Sequence, residues 1–558
     1  MQPIDAGPAE RSSLAPPRAV LIVLGVLLFA GPLAFNLPLT DPDEGLHASI
    51  ALEMVERGDY LVPRLLGEPF LDKPVLFFLT QAISIAMFGA NEFAVRLPGQ
   101  LFGLLGVLTT GWLGAQLATP QLGVVAACIY ATLLFPLALN QAPVHDVALV
   151  PWINLGFLLL VAAIRRPAGG LVPFALAGVS LSLAVLTKGL VGVALVGLPV
   201  AIITLLERRL SWRVIAGGIG TVVLAASLAV PWYLVMERAD PGYLRYFFLE
   251  RHVMGFATTT QLHGQRPWWY YLPLLAAGSL PWGLSLLGSR RLWPAWTRTP
   301  VFQVAIVWLV ADLVFLTAAG SKLATYILPL FTPLALSLAA LWTVAASPSA
   351  AAGSAFRRGV QVQLFAGAAI LPVASLFASL FLDIPVTAGG WTLAAAIAVA
   401  WGYVALASTA WTLAGRLRAT ATLVVATVLA AYASLFPGAV ADNTARDLAA
   451  YLNQQGALPA HLWILDERVG SVLFYLRPEL RTGLTPDRVE GVSFGRALTQ
   501  GGTRPGTVLA IPRTTMPRLL NRLELADVPY GAAGRYRVYD AGALRNARPK
   551  PVNGAPVH

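Results

Sequence analysis

The sequence predicts an all-α polytopic membrane protein that carries a small α/β domain at its C-terminal end. Three observations lead there. The 558 residues are 57% hydrophobic and 12% charged, with a mean hydropathy of +0.68. A soluble chain runs nearer to about 45–50% apolar and about 25% charged. The apolar residues fall in runs of about 20, the length that crosses a bilayer's hydrocarbon layer. From residue 440 onward the runs become short and alternate with polar residues. Composition also excludes some classes of function. Cys128 is the single cysteine and sits inside an apolar run, so no intramolecular disulfide forms. The net charge is +11, but no basic run interleaved with aromatics suggests nucleic acid. In a membrane protein the placement of charge matters more than its sum.

Residues 1–17 are polar and read as a cytoplasmic tail; the apolar run after them lacks a small-residue cleavage site and reads as a retained helix. Candidate spans are 18–36, 97–117, 121–140, 147–164, 170–187, 189–206, 214–236, 269–288, 301–319, 325–346, 360–382, 389–413 and 419–437, about 13 transmembrane (TM) helices. The stretch 75–90 is shorter and is left out of the count. With a cytoplasmic N-terminus, Arg165-Arg166, Arg208-Arg209-Arg213, Arg290-Arg291-Arg298, Arg357-Arg358 and Arg416-Arg418 then all lie inside, as the positive-inside rule requires. Counting 75–90 as a span would reverse all five. It therefore reads as an interfacial helix in the first outer loop. The alternative is that it crosses and 97–140 holds one span.

This topology divides the chain into a membrane domain, 18–438, and an outer α/β domain, 439–543, followed by a disordered tail, 544–558. Two large outer loops, 37–96 and 237–268, interrupt the membrane domain. In the α/β domain, Leu448, Ala449 and Leu452 give a helical stripe. His461–Leu465, Ser471–Leu476, Thr507–Ile511 and Tyr536–Tyr539 read as strands, with a helix near Met516–Leu525.

The first outer loop draws attention. Asp41, Asp43, Glu44, Glu53, Glu56, Asp59, Glu68 and Asp72 lie within 33 residues (Asp41–Lys73) of a chain poor in charge. A helix cap accounts for Asp41 or Asp43 singly but not for the whole set. His145-Asp146, Lys188, Arg251, His252, Arg266 and Lys322 fall on the same face. Lys188 and Lys322 depart from positive-inside placement, which argues for a task. Tyr326 lies four residues after Lys322, on one helix face. The tract Trp268-Trp269-Tyr270-Tyr271 fits an interfacial aromatic belt better than a sugar platform. Ionisable residues gathered on one face, without an internal repeat, speak against a transporter.

Several segments carry a family resemblance. They are the Asp43-Glu44 pair, GDYLVPRLLGEPFLDKP (58–74), NEFAVRLP (91–98), His145-Asp146 after Asn140, LTKG (186–189), FLERHVMGF (248–256) and KLATYILP (322–329). In this order they resemble the polyprenyl-phosphate-dependent glycosyltransferases of the GT-C class, over about residues 20–340. That class includes lipid A aminoarabinose transferases and protein O-mannosyltransferases. The resemblance implies a GT-C fold in the bacterial inner membrane, with the active site and the C-terminal domain periplasmic. It implies an undecaprenyl-phosphate-linked sugar as donor and lipid A as acceptor, the sugar being 4-amino-4-deoxy-L-arabinose. Protein O-mannosylation, or transfer to another glycan, is the alternative. A monomer is expected.

The family's catalytic acid maps to Asp43, with Glu44 beside it and Asp146 as the second acidic residue; Asp41, two residues earlier, leaves the choice of carboxylate open. Transfer from a lipid phosphate must stabilise an oxocarbenium-like transition state and a leaving phosphate. Lys73, Lys188, Arg251, Lys322 and Tyr326 are the expected phosphate-binding residues. Glu68, Asp72, Glu250 and His252 are candidate ligands for a divalent metal ion, although no dense motif such as HExxH is present. No other cofactor is expected.

Overall fold

The computed structural model describes residues 37–540, apart from 141–143, 167–169, 258–265, 348–352, 383, 468, 501–505, 517–522 and 525–530, together with 548–549. The expected first span, 18–36, the tail 1–17 and most of the tail 544–558 lie outside the described residues. The chain forms two compact units. One takes in Leu71–Thr80 and Arg96–Phe436, the other Asn36–Phe70, Gln81–Val95 and Pro437–His558.

The first unit is helical. Among the described residues, eight helices are long and apolar enough to cross a membrane: Glu92–Leu117, His145–Arg165, Trp212–Ala239, Pro300–Ala318, Ala324–Ala345, Ser354–Phe381, Ala388–Ala410 and Leu413–Ser434. Two further expected spans are broken. Pro120–Thr132 and Leu134–Asn140 meet at 65°, and Tyr271–Gly278 and Trp282–Gly288 at 91°. Proline accounts for the first break: Pro136 has no N–H to return to the Thr132 carbonyl, and Leu133 is extended. Expected spans 170–187 and 189–206 are the shorter helices Val172–Lys188 and Val191–Leu206. The described count is thus eight, or ten with each broken pair taken once, against the 13 expected. The excluded stretch 75–90 is a 13-residue helix, Leu76–Phe88. At 1.5 Å per residue it reaches about 20 Å, short of a hydrocarbon layer of about 30 Å.

Side-chain size sets the helix contacts in this unit. Gly111 and Gly114 face Gly123, where an added Cβ would run into the opposite backbone. Small residues let helix backbones approach closely where lipid supplies no hydrophobic drive. Phe157 stacks on Trp308 with ring centroids 3.9 Å apart. The buried Asn154 amide donates to Thr109 Oγ1 at 3.0 Å and to Thr110 Oγ1 at 3.2 Å. Such buried polar contacts fix helix rotation inside an apolar core.

The second unit is α/β. Its sheet runs in the order Val489–Val492, His461–Leu465, Thr507–Pro512, Tyr536–Asp540, Gly531–Ala533. The first three strands are parallel and the last two antiparallel, with Leu462 opposite both Val489 and Val508. Alternation assigns the two faces. Leu462 and Ile464 pack with Leu448, Ala449 and Leu452 of the helix Arg446–Gln455, and Trp463 and Leu465 pack with Leu509 and Ile511.

Three expectations here need correction. Ser471–Tyr475 is a helix, not a strand. Leu523–Glu524, inside the expected Met516–Leu525 helix, is a strand. It pairs with Arg548–Pro549, in the tail expected to be disordered.

The acidic segment groups with this sheet. Asp43–Arg57 is a helix closed by Gly58 at φ 66°, whose N–H reaches the Met54 and Val55 carbonyls. The left-handed cap favours glycine there. Arg64–Leu65 then pairs with Glu68–Pro69 across Leu66 and Gly67, both with positive φ, as a tight two-residue hairpin demands.

Candidate active site

In the helical unit, five charged side chains gather around one cavity. Lys188 ends the helix Val172–Lys188, and Gly189 follows at φ 86°. The Lys188 ammonium pairs with Asp146, in the first turn of His145–Arg165, and lies 4.1 Å from the ring centroid of Tyr326. Lys73 stands beside them, just ahead of the helix Leu76–Phe88. Burial lowers its ammonium to about 8, and the nearby Lys188 and Arg251 push the same way, against Asp146 and Asp72.

Arg251 comes from a π-helical segment, Arg245–Met254. A π turn closes i to i+5, and Tyr246 and Arg251 have that spacing. Both reach the same Asp72 oxygen: Tyr246 Oη donates at 2.7 Å and Arg251 Nη1 at 2.6 Å. His252 makes its contacts with backbone, at Phe247 and Lys188. Its Nδ1 lies 2.7 Å from the Phe247 carbonyl, and burial lowers its pKa, which favours the neutral ring.

The cavity has a volume of about 460 Å³. Lys73, Lys188 and Arg251 line one part, with Tyr326. Leu190, Val191, Ala194, Phe256, Phe315 and Leu316 line the rest. Two of the three cations already have carboxylate partners. Lys73 is the one whose charge is least offset, and an anion would relieve it.

Other expected residues stand elsewhere. Lys322 Nζ donates to the Ala319 carbonyl at 2.7 Å, within its own turn, and does not line the cavity. The four candidate metal ligands do not form a set. Asp72 holds Arg251 and Tyr246, Glu250 faces Arg245 at 3.5 Å, and Glu68 sits exposed in the hairpin. Among the described residues, no group of three His, Cys, Asp or Glu is placed to hold a metal ion. Tyr246 does not line the cavity but holds Asp72 and Arg251, which do; sequence reasoning saw it only as one of the aromatics of its loop, and its five-residue spacing from Arg251 was the available signal.

In the α/β unit, Asp43 is exposed at the start of its helix. Glu44 Oε2 accepts from Thr40 N at 2.8 Å and from Thr40 Oγ1 at 3.0 Å. Asp41 is half-buried against the helix Ser471–Tyr475. Its two oxygens accept from Ser471 N at 2.6 Å and from Ser471 Oγ at 2.7 Å. Burial raises Asp41 to about 6, opposed by these hydrogen bonds and by Arg535.

A family model described as dolichyl-phosphate-mannose-protein mannosyltransferase matches residues 47–247. The undecaprenyl phosphate-alpha-4-amino-4-deoxy-L-arabinose arabinosyl transferase of Pectobacterium carotovorum is 32% identical over 344 residues, 61% of each chain. A relative of the same name in Sodalis glossinidius is 36% identical over 333 residues, 58% of each chain. The match thus spans about three fifths of these relatives' length. The crystal structure of ArnT from Cupriavidus metallidurans bound to undecaprenyl phosphate superposes with a TM-score of 0.67. It covers 93% of this chain and 97% of that one at 21% identity.

The chain has the ArnT fold. The resemblance drawn from scattered motifs therefore holds at the level of sequence and of architecture.

Proposed function

We propose that this chain is an inner-membrane glycosyltransferase that takes a sugar from undecaprenyl phosphate and transfers it on the periplasmic face. The sugar is 4-amino-4-deoxy-L-arabinose and the acceptor a phosphate of lipid A. The observation that carries this reading is the cavity that is cationic at one part and apolar over the rest. A polyprenyl phosphate has that same division, an anion on a hydrocarbon chain. The names of the relatives supply the sugar.

In this reading Lys73, Lys188 and Arg251 meet the donor phosphate, with Tyr326 alongside. An acceptor phosphate oxygen attacks the anomeric carbon, and the bond from that carbon to the donor phosphate oxygen breaks. Positive charge grows on the sugar ring and negative charge on the leaving phosphate. The three cations are already in place for that leaving charge, so little reorganisation is needed as it forms. Asp146 holds the Lys188 ammonium, and Asp72 with Tyr246 holds the Arg251 guanidinium.

Asp43 is assigned as the transfer carboxylate, since Asp41 is engaged with Ser471 while Asp43 is exposed. An acceptor phosphate is already anionic near neutral pH and needs no base, so Asp43 serves to orient the reactants and to stabilise the positive charge that grows on the sugar ring. It would act as a base only towards a hydroxyl. The family model keeps that second reading in play, protein O-mannosyl transfer.

Mass spectrometry of lipid A from cells with and without this protein tests the choice. A difference of one aminopentose is the expected result. Unchanged lipid A alongside newly glycosylated protein would move the assignment to the second reading.

A further inference from the structure

The α/β unit holds the start of the acidic segment by a set of contacts that frames Asp43. Before it, the Leu39 amide donates to Tyr475 Oη at 2.8 Å and the Asp41 amide to the Asn443 carbonyl at 2.7 Å. Both Asp41 oxygens bind Ser471. After it, Ser49 Oγ donates to the Gly470 carbonyl at 3.0 Å. Ser471 Oγ, which donates to Asp41, also accepts from the Ala445 amide at 2.9 Å. That single hydroxyl thus joins the acidic segment to the start of the helix Arg446–Gln455. The fit is close. A Cβ at Gly470 would run into Asp41 Oδ1, and one at Gly45 into the Ser471 amide. The floor is itself braced. Arg535 donates to the Thr444 carbonyl at 3.0 Å and the Asp442 carbonyl at 2.9 Å, and pairs with Glu467 at 2.6 Å.

We propose that the C-terminal α/β domain is the seat of the catalytic segment, and that Asp41 is the positioning residue that fastens Asp43 to it. This rests on the reading of Asp43 as the transfer carboxylate. Two facts favour a positioning role over plain stabilisation. The fastened residues lie on both sides of Asp43 and close to it in sequence. An acidic side chain is half-buried where a neutral one would serve packing alone, and its two oxygens accept from two donors on one residue. A transfer carboxylate displaced by about 1 Å can lose on the order of 100-fold in rate. The domain thus acts on turnover without touching substrate.

The test uses the full chain in lipid nanodiscs. Turnover is measured for wild type, Asp41→Asn, Ser471→Ala and the milder Ser49→Ala, alongside the Kd for undecaprenyl phosphate. Asp41→Asn and Ser471→Ala should lower kcat at least tenfold, with that Kd within twofold of wild type. The double variant should be no worse than the poorer single one, because both remove the same bonds. Lys73→Ala should show the opposite split, with the Kd lost. Amide exchange over residues 39–49 reads the fastening without the reaction, and should speed up in Ser471→Ala. The proposal fails if kcat stays within twofold in both main variants. It also fails if kcat falls and Kd rises together, since that is simple loss of structure. A wild type that transfers no sugar, with exchange at 39–49 still speeded by Ser471→Ala, would count against the transferase reading and leave the fastening standing.

Discussion

Lys73 is the residue whose chemistry the cavity exposes most directly. Its ammonium is lowered to about 8 because burial and two neighbouring cations disfavour charge. An anionic phosphodiester favours the protonated form, so binding raises that pKa. Donor affinity should therefore be full below about pH 7 and fall as pH rises through 8. The acid side should stay flat, since a phosphodiester keeps its charge. Lys73→Arg should remove the alkaline fall, because guanidinium stays protonated. Lys73→Ala should weaken binding of the sugar-linked donor, the phosphodiester, about 10–100-fold, the worth of a hydrogen bond to a charged group. Titration of nanodisc-bound protein from pH 6 to 9.5 checks both.

Asp41 gives a second pH signature with the opposite origin. Its folded pKa, about 6, stands above the ordinary 3.8. The folded chain binds this proton more tightly than the unfolded chain does. Ionised Asp41 thus costs stability above pH 6, and the cost fades as pH falls towards 4. Relative to Asp41→Asn, the wild type should gain thermal stability on acidification across that window. A difference that is flat with pH would contradict it. These residues also show how far sequence reading goes. Lys73, Lys188, Arg251 and Asp146 were legible as outer-face charges. The capture of Asp41 by Ser471 was not, because the two lie 430 positions apart.

At the scale of elements, the turn after Lys188 is the sensitive point. Gly189 has φ 86°, and a Cβ there would run into His252 Nε2. Gly189→Ala should strain the turn and push the π segment away from the cavity. We expect at least a tenfold loss of undecaprenyl phosphate affinity, while Gly197→Ala, which has open space at its Cβ, should be silent. Apolar length announced the spans well, since a bilayer demands it of the sequence. It could not announce their breaks, which depend on where a single proline such as Pro136 leaves a carbonyl unserved. Nor could it read Ser471–Tyr475. That run is rich in residues that suit strands, and tertiary contact with Asp41 at its first turn favours the helix instead.

For the whole molecule, the decisive measurement is sidedness. The 13-residue helix Leu76–Phe88 is too short to cross unaided. A cysteine placed at Gly89 should then be labelled from the periplasm, and one at Ala115 from the cytoplasm, in a chain whose Cys128 has first been replaced. The reverse pattern would mean that Leu76–Phe88 crosses, and would invert every loop after it. Sequence reading separated a membrane domain from a C-terminal one along the chain. In space the acidic segment belongs with the C-terminal unit, a grouping that no local pattern announces because its parts are distant in sequence.

That grouping bears on biosynthesis. Asp41 leaves the ribosome hundreds of residues ahead of Ser471, and at about 5–20 residues per second the interval is on the order of tens of seconds. Throughout it Asp41 lacks the Ser471 contact that fastens the acidic segment. A translation arrest or nonsense codon between the last span, Leu413–Ser434, and residue 471 would strand it, exposed to proteases, in an otherwise inserted polypeptide.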